Sequence, residues 1–297
     1  MLSRFLKGGE YFKNSVTLIS GTTFSQLIPF IFAPILARIY PPDNYGMLGI
    51  YMAVSSLFGL LATFQYSSAI ILAETDNDAN GLLLACFGFT GLVALVTFVI
   101  MLLLHYPIAS ALSAPETAKW LLLSPVSVLF MGANATLSAY TNRIRQYKTL
   151  AMNRILTTLI SALLSLVIGL AIKSELGLMA GYIGGQIIGT LFLLYSLRKS
   201  WPVIFGRERF NITEIKQTLK KYISFPKFVL FSEFINNFIN YIPVFLLSKL
   251  SGPATVGLYN MSTRMLGIPI ATVSTAIGEV FRQKAAKEYN ETGSCKP

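Results

Sequence analysis

Two charges placed inside otherwise apolar stretches are the residues of this chain best suited to chemistry. Arg264 lies within "VGLYNMSTRMLGIPIATVSTAIGEVF", Val256 to Phe281, and Glu233 opens a run that also holds Asn236, Asn237 and Asn240. Asn260 stands one helical turn before Arg264, so the two share a face, with Thr275 roughly in line beyond them. A fixed cation in an oily segment is costly unless something polar or anionic meets it. Two readings follow. Either Glu233 or backbone carbonyls hold Arg264 in a structural contact, or Arg264 lines a hydrated interior through which an anion passes. Arg38 at the end of the first apolar run and Gln26 within it are further candidates for such an interior, and Glu233 is a candidate ion-coupling group. No catalytic set is visible. The single histidine, His105, sits at the end of an apolar run, and Cys86 and Cys295 are too far apart to suggest a metal site or a disulfide. No catalytic residue, metal or cofactor is expected.

The elements that must position these groups are set by a shortage of charge. Of 297 residues, 54% are hydrophobic and 12% charged, with a mean hydropathy of +0.60. Soluble domains carry about 25% charged residues, so water is not the main solvent of this chain. Uncharged runs at Ser15–Ala37, Asn44–Ala73, Ala79–Leu104, Trp120–Asn142, Ile155–Ile172 and Leu176–Leu197 each supply the ~17–25 apolar residues of a membrane-crossing helix. Phe228–Ser248 and Val256–Phe281 do so if Glu233 and Arg264 are buried. The expectation is an all-α integral membrane protein of about eight transmembrane helices. The first basic residues precede an apolar run too long for a cleavable signal peptide.

Basic residues orient the spans. With both termini in the cytoplasm, most of the 24 Lys and Arg fall inside, including Arg143, Arg145, Lys148 and Arg154, and the set from Arg198 to Lys227. Arg38, Lys119, Lys173 and Lys249 fall outside. This is the asymmetry of an inserted helical bundle, and it explains the net charge of +11 through topology and anionic lipid rather than nucleic acid. The loop "ETDNDAN", Glu74–Asn80, falls inside with no basic residue. The longest loop contains "NITEIKQTLKKYISFPK", in which Ile212, Ile215, Leu219, Tyr222 and Ile223 recur at helical spacing, lysines fill the other face and Thr213 is placed to cap. It reads as an amphipathic helix on the membrane surface.

Several spans carry polar stripes instead of uniform apolar faces. Thr17, Ser20, Thr22, Thr23, Ser25 and Gln26 mark the first, and Asn134, Thr136, Ser138 and Asn142 the fourth. Such groups need partners or water within a bilayer, so these faces should turn inward, either for packing or around a cavity. Gly177, Gly181, Gly185 and Gly189 form a ridge that admits a neighbouring helix closely. Pro125, Pro243 and Pro269 lie inside expected spans and suit bent helices.

"LARIYPPDNYGMLGIY" (Leu36–Tyr51), "NRIRQYKTLAMNRILTTLISALLSLVIGL" and "SGPATVGLYNMSTRMLGIP" (Ser251–Pro269) occur in that order. Together they resemble the polysaccharide flippases of the Wzx type, within the multidrug/oligosaccharidyl-lipid/polysaccharide exporter superfamily. The resemblance implies a MATE-like fold of two six-helix lobes around a central cavity. Residues 1–197 would form the six-helix N-terminal lobe, 198–227 a cytoplasmic amphipathic linker, 228–281 the first two helices of the second lobe, and 282–297 a cytoplasmic tail. It also implies movement of an undecaprenyl-diphosphate-linked oligosaccharide across the bacterial inner membrane for O-antigen or capsule synthesis, alongside other polysaccharide assembly proteins. Because the family carries 12 or more helices, the chain is expected to be C-terminally truncated or one part of a split protein. A cation-coupled multidrug-type antiporter is the nearest alternative, although the first six spans hold no acid between their ends. A non-transporting truncated membrane protein is the other. A membrane enzyme would need large outer loops, which are lacking.

Overall fold

The computed structural model describes residues 2–172, 174–201 and 212–267, with side chains from Gly21 onward except Ile212. Among the described residues all regular structure is helical. The helices are α1 (Leu2–Ile39), α2 (Pro42–Leu61), α3 (Tyr66–Leu72), α4 (Asp76–Ala111), α5 (Ala118–Leu121), α6 (Ser124–Arg143), α7 (Tyr147–Ile172) and α8 (Leu176–Ser196). Then come α9 (Ile212–Lys221), a π-helical turn (Phe225–Val229), α10 (Leu230–Ser251) and α11, residues 253–267. Among the described residues six stretches are long and apolar enough to cross a membrane: Gly21–Ile39, Pro42–Leu61, Asp76–Ala111, Tyr147–Ile172, Leu176–Ser196 and Phe225–Ser251. A seventh is the pair Pro115–Leu121 and Ser124–Arg143, bent by 50°. The protein is a multi-pass membrane protein. The remainder of the expected eighth span, to Phe281, lies outside the described residues.

The boundaries differ from the hydropathy reading in three places. The apolar run Asn44–Ala73 is two helices. Phe64 and Gln65 take left-handed φ of 47° and 60° between α2 and α3, and buried Thr90 donates its hydroxyl to the Ala62 carbonyl at the break. No Gly or Pro marks that turn. The third run is longer than Ala79–Leu104, because Thr75 accepts the Asp78 amide at 3.1 Å and caps α4 early. The fourth breaks before Ser124, and Pro125 occupies the first turn of α6. A proline there forfeits no helical hydrogen bond, so it opens a segment rather than kinking one. Thr213 likewise falls inside α9 instead of before it.

Helices in lipid gain nothing from hiding apolar faces from one another, so close packing must hold them. The glycine ridge of α8 meets α7. A Cβ added to Gly185 would lie 2.6 Å from the Thr157 carbonyl oxygen, and one at Gly181 2.5 Å from that of Ser161. A second crossing joins α2 to α11. There a Cβ on Gly46 would meet the Pro253 carbonyl oxygen at 1.9 Å, and one on Gly257 that of Pro42 at 1.8 Å. Only glycine permits these approaches. Tyr40, at the end of α1, donates to the Ser165 carbonyl at 2.6 Å and fastens α1 to α7. The outer face of α4 leaves Leu95, Phe98, Leu102 and Leu103 exposed, as a lipid-facing helix requires.

The linker helix α9 does not lie apart from the bundle. It seats on the corner between α3 and α4, with Tyr222 in the apolar cluster of Tyr66, Ile70, Ala79 and Leu82. The acidic loop supplies its ionic partners. Lys221 reaches Glu74 at 2.8 Å and Asp78 at 2.9 Å, while Arg143 binds Asp76 at 3.0 Å and the Ala73 carbonyl at 2.6 Å. The pair of carboxylates holds the Lys221 ammonium above the usual lysine range.

Candidate functional site

Arg264 stands where two clefts meet. Eleven residues beyond Pro253 along α11, it lies ~16 Å from that end of the helix. The larger cleft, about 330 Å³, is lined by Ala33 of α1, Tyr45, Gly49 and Met52 of α2, Tyr241 of α10, and Asn260, Thr263 and Arg264 of α11. The smaller, about 220 Å³, lies among α1, α2, α7 and α8 and is lined by Thr157, Ser161, Ser165, Tyr182 and Gln186. Leu48, Met52 and Arg264 line both. The glycine crossing sets this placement. Because α11 packs backbone to backbone against the start of α2, Asn260 is pressed on Gly49, and Arg264 emerges one turn further on.

The Arg264 side chain is open to the clefts, and among the described residues it makes no ion pair. Tyr45 interacts with it electrostatically. Around it the walls are neutral and polar. Tyr241 bonds the Ser56 hydroxyl at 3.0 Å, and buried Tyr51 bonds Ser127 at 2.7 Å while its ring meets Tyr182 edge-on at 5.9 Å. Thr157 Oγ1, Gln186 Oε1 and Asn260 Nδ2 are buried polar atoms with no protein partner. Among the described residues there is no group of His, Cys, Asp and Glu that could hold a metal. The arrangement can bind an anion and hydroxyl-bearing groups.

Of the residues singled out in the sequence, Arg264 and Asn260 line the clefts. Arg38 is exposed in the last turn of α1, and Gln26 is exposed on the same helix. Asn237 donates its amide to the Glu233 carbonyl, and exposed Asn240 donates to that of Asn236. None of these, nor Glu233, lines the two clefts. Glu233 makes no ion pair among the described residues, so the Glu233–Arg264 pair raised above is not formed among them. Tyr45, Tyr241, Tyr182 and Gln186 were missed. A signal existed for Tyr241, four residues beyond Asn237 on the stripe. Tyr182 and Gln186 sit between ridge glycines and read as packing.

The fold and clefts define the class: a multi-pass membrane protein with an arginine and hydroxyl groups lining two clefts. A family model described as "Polysaccharide biosynthesis protein" matches residues 35–294. The chain belongs to that family. It is 22% identical over 255 residues to an "Uncharacterized membrane protein in cps region" of Klebsiella pneumoniae, covering 86% of this chain and 51% of that one. It is 24% identical over 256 residues to the "Succinoglycan biosynthesis transport protein ExoT" of Rhizobium meliloti (strain 1021), covering 84% and 48%. The chain therefore spans about half the length of these relatives. A solved structure described as "protein A" shares the fold with a TM-score of 0.58 at 12% identity, over 86% of this chain and 60% of its own. The chain is thus a multi-pass membrane protein of a family described by polysaccharide biosynthesis, and one relative carries the name of a transporter.

Proposed function

We propose that this chain supplies the first lobe and the first two helices of a second lobe of a MATE-like flippase for lipid-linked oligosaccharide. The substrate class is an undecaprenyl-diphosphate-linked repeat unit, moved across the bacterial inner membrane with both termini cytoplasmic. Arg264 carries this reading: a cation well along α11, without an ion-pair partner among the described residues, opening on two clefts. Its cost is offset when an anionic group, such as a diphosphate or acidic sugar, enters. Asn260, Tyr241, Gln186 and Thr157 offer hydrogen bonds to sugar hydroxyls beside it. The family and the ExoT-like relative support a polysaccharide-linked substrate. Complementation of a flippase-null strain, with the remaining second-lobe helices supplied by a co-expressed C-terminal half of a longer relative, tests the reading. Wild type should restore surface polysaccharide, Arg264→Lys should restore part of it, and Arg264→Ala should restore little at equal membrane abundance. Equal polysaccharide from wild type and Arg264→Ala would overturn the role of the cation.

A further inference from the structure

The linker helix is more than a connection. Its Tyr222 hydroxyl accepts the Glu74 amide at 2.9 Å, its Leu219 carbonyl accepts the Tyr66 hydroxyl at 3.1 Å, and Thr218 donates to Asp78 at 3.3 Å. With the two Lys221 ion pairs, these contacts pin α9 to the α3–α4 corner over an apolar seat that also takes Leu219 and Phe225. Eight residues after Lys221, the π-helical turn passes into α10. The two buried residues of α10, Val244 and Ser248, both lie in its second half, where Ser248 also bonds the Leu112 carbonyl. Its first half has no buried residue among those described. So α10 is held by packing at one end and by the pinned linker at the other. Between them it carries Tyr241 into the cleft beside Arg264.

We propose that Lys221 and Tyr222, with Glu74 and Asp78, form a clasp that positions α10 and thereby sets the width of the cleft next to Arg264. These are positioning residues, distant from the cleft itself. Releasing the clasp lets the near half of α10 move outward and opens the cleft; remaking it restores the spacing.

The test uses the full chain in membrane vesicles, with Cys86→Ala and Cys295→Ser as background and Thr263→Cys as a reporter in the cleft. Maleimide labelling of that cysteine requires no transport, so its result is independent of the function proposed above. Lys221→Glu should speed labelling about two- to fivefold, the range expected from losing exposed ion pairs, and adding Glu74→Lys with Asp78→Lys should return it toward the starting rate. Tyr222→Phe, a milder change, should shift the rate the same way if Lys221→Glu does not accumulate. In parallel, Gly81→Cys with Thr218→Cys reports on the clasp, since a Cβ at Gly81 lies 3.9 Å from Thr218 Oγ1. Oxidative cross-linking should be fast in the parent and slowed by Lys221→Glu. If cross-linking slows while labelling at residue 263 stays unchanged or falls, the clasp opens without moving the cleft and the proposal is wrong. Cross-linking that ignores Lys221→Glu would show that the ion pairs do not hold the helix, and would overturn it equally.

Discussion

Replacing Arg264 with leucine separates a functional arginine from a structural one, because the two change stability in opposite directions. At mid-depth an arginine costs roughly 2.5 to 3.5 kcal/mol on insertion scales, whereas leucine is favourable by about 0.3 to 0.6 kcal/mol. The difference is ~3–4 kcal/mol for a side chain facing hydrocarbon. Arg264 faces two clefts instead, so part of its hydration is retained and we take one third to one half of that figure, about 1–2 kcal/mol. Arg264→Leu should therefore stabilise the protein by that amount while abolishing polysaccharide export. Unfolding by SDS titration in mixed micelles, followed by circular dichroism, measures the first; complementation measures the second. Glu233→Gln is the control and should stay within about 0.5 kcal/mol of wild type. If Arg264→Leu loses 1 kcal/mol or more, the guanidinium is a structural anchor and the reasoning fails.

The other predictions concern the frame. Gly257→Ala would drive a Cβ to 1.8 Å from a backbone oxygen of α2, which cannot rotate away, and should cost about 1–3 kcal/mol in the same unfolding assay. Gly49→Ala meets side chains rather than backbone, Asn260 Nδ2 at 1.9 Å and Val256 Cγ1 at 3.3 Å; it should cost less than Gly257→Ala, about 1 kcal/mol, yet change labelling of a cysteine at position 263. Arg145 ends α6 with a left-handed φ of 59°, where glycine is preferred, so Arg145→Gly should stabilise by about 0.5–1 kcal/mol. The Lys119 ammonium holds the Glu175 carboxyl below its ordinary range. Stability from that pair is present above about pH 4.3 and is lost as pH falls through the lower folded value. With Lys119 62% exposed the loss should be ~0.5 kcal/mol, and Glu175→Gln should remove that share of the pH dependence of acid unfolding.

Which features were legible in the sequence follows from what the bilayer demands of a chain. It requires long apolar runs, so the crossings stood out in hydropathy, and close packing without a hydrophobic drive requires small residues, so the α8 ridge was visible as glycines four apart. The partner of that ridge was not visible, nor was the α2–α11 crossing, where Gly46 and Gly257 contribute one position each instead of a repeat. Breaks inside apolar runs were hidden for the same reason: the turn at Phe64 and Gln65 has no Gly or Pro and is secured by a hydroxyl from Thr90 on another helix. Which way a side chain faces was harder to read than which helix it stands on. Glu233 and Tyr241 lie on one helix, but the eight residues between them, at 3.6 per turn, rotate the face by about 80°. That rotation gives Tyr241 a place in the cleft that Glu233 does not share.

The acidic loop shows how a departure from a rule can identify a contact. Glu74–Asn80 breaks the basic pattern expected of that side of the membrane, and topology offers no reason for three carboxylates there. Folding supplies one. Lys221, more than 140 positions away in the chain, and Arg143 close on those carboxylates and fix the linker to the first six spans. Charge counting treats every lysine on one side as equivalent, but among the described residues only this one reaches both Glu74 and Asp78. The cleft thus depends on two attachments of α10, one by packing and one by charge, and only the charged one can be undone by a single exposed side chain.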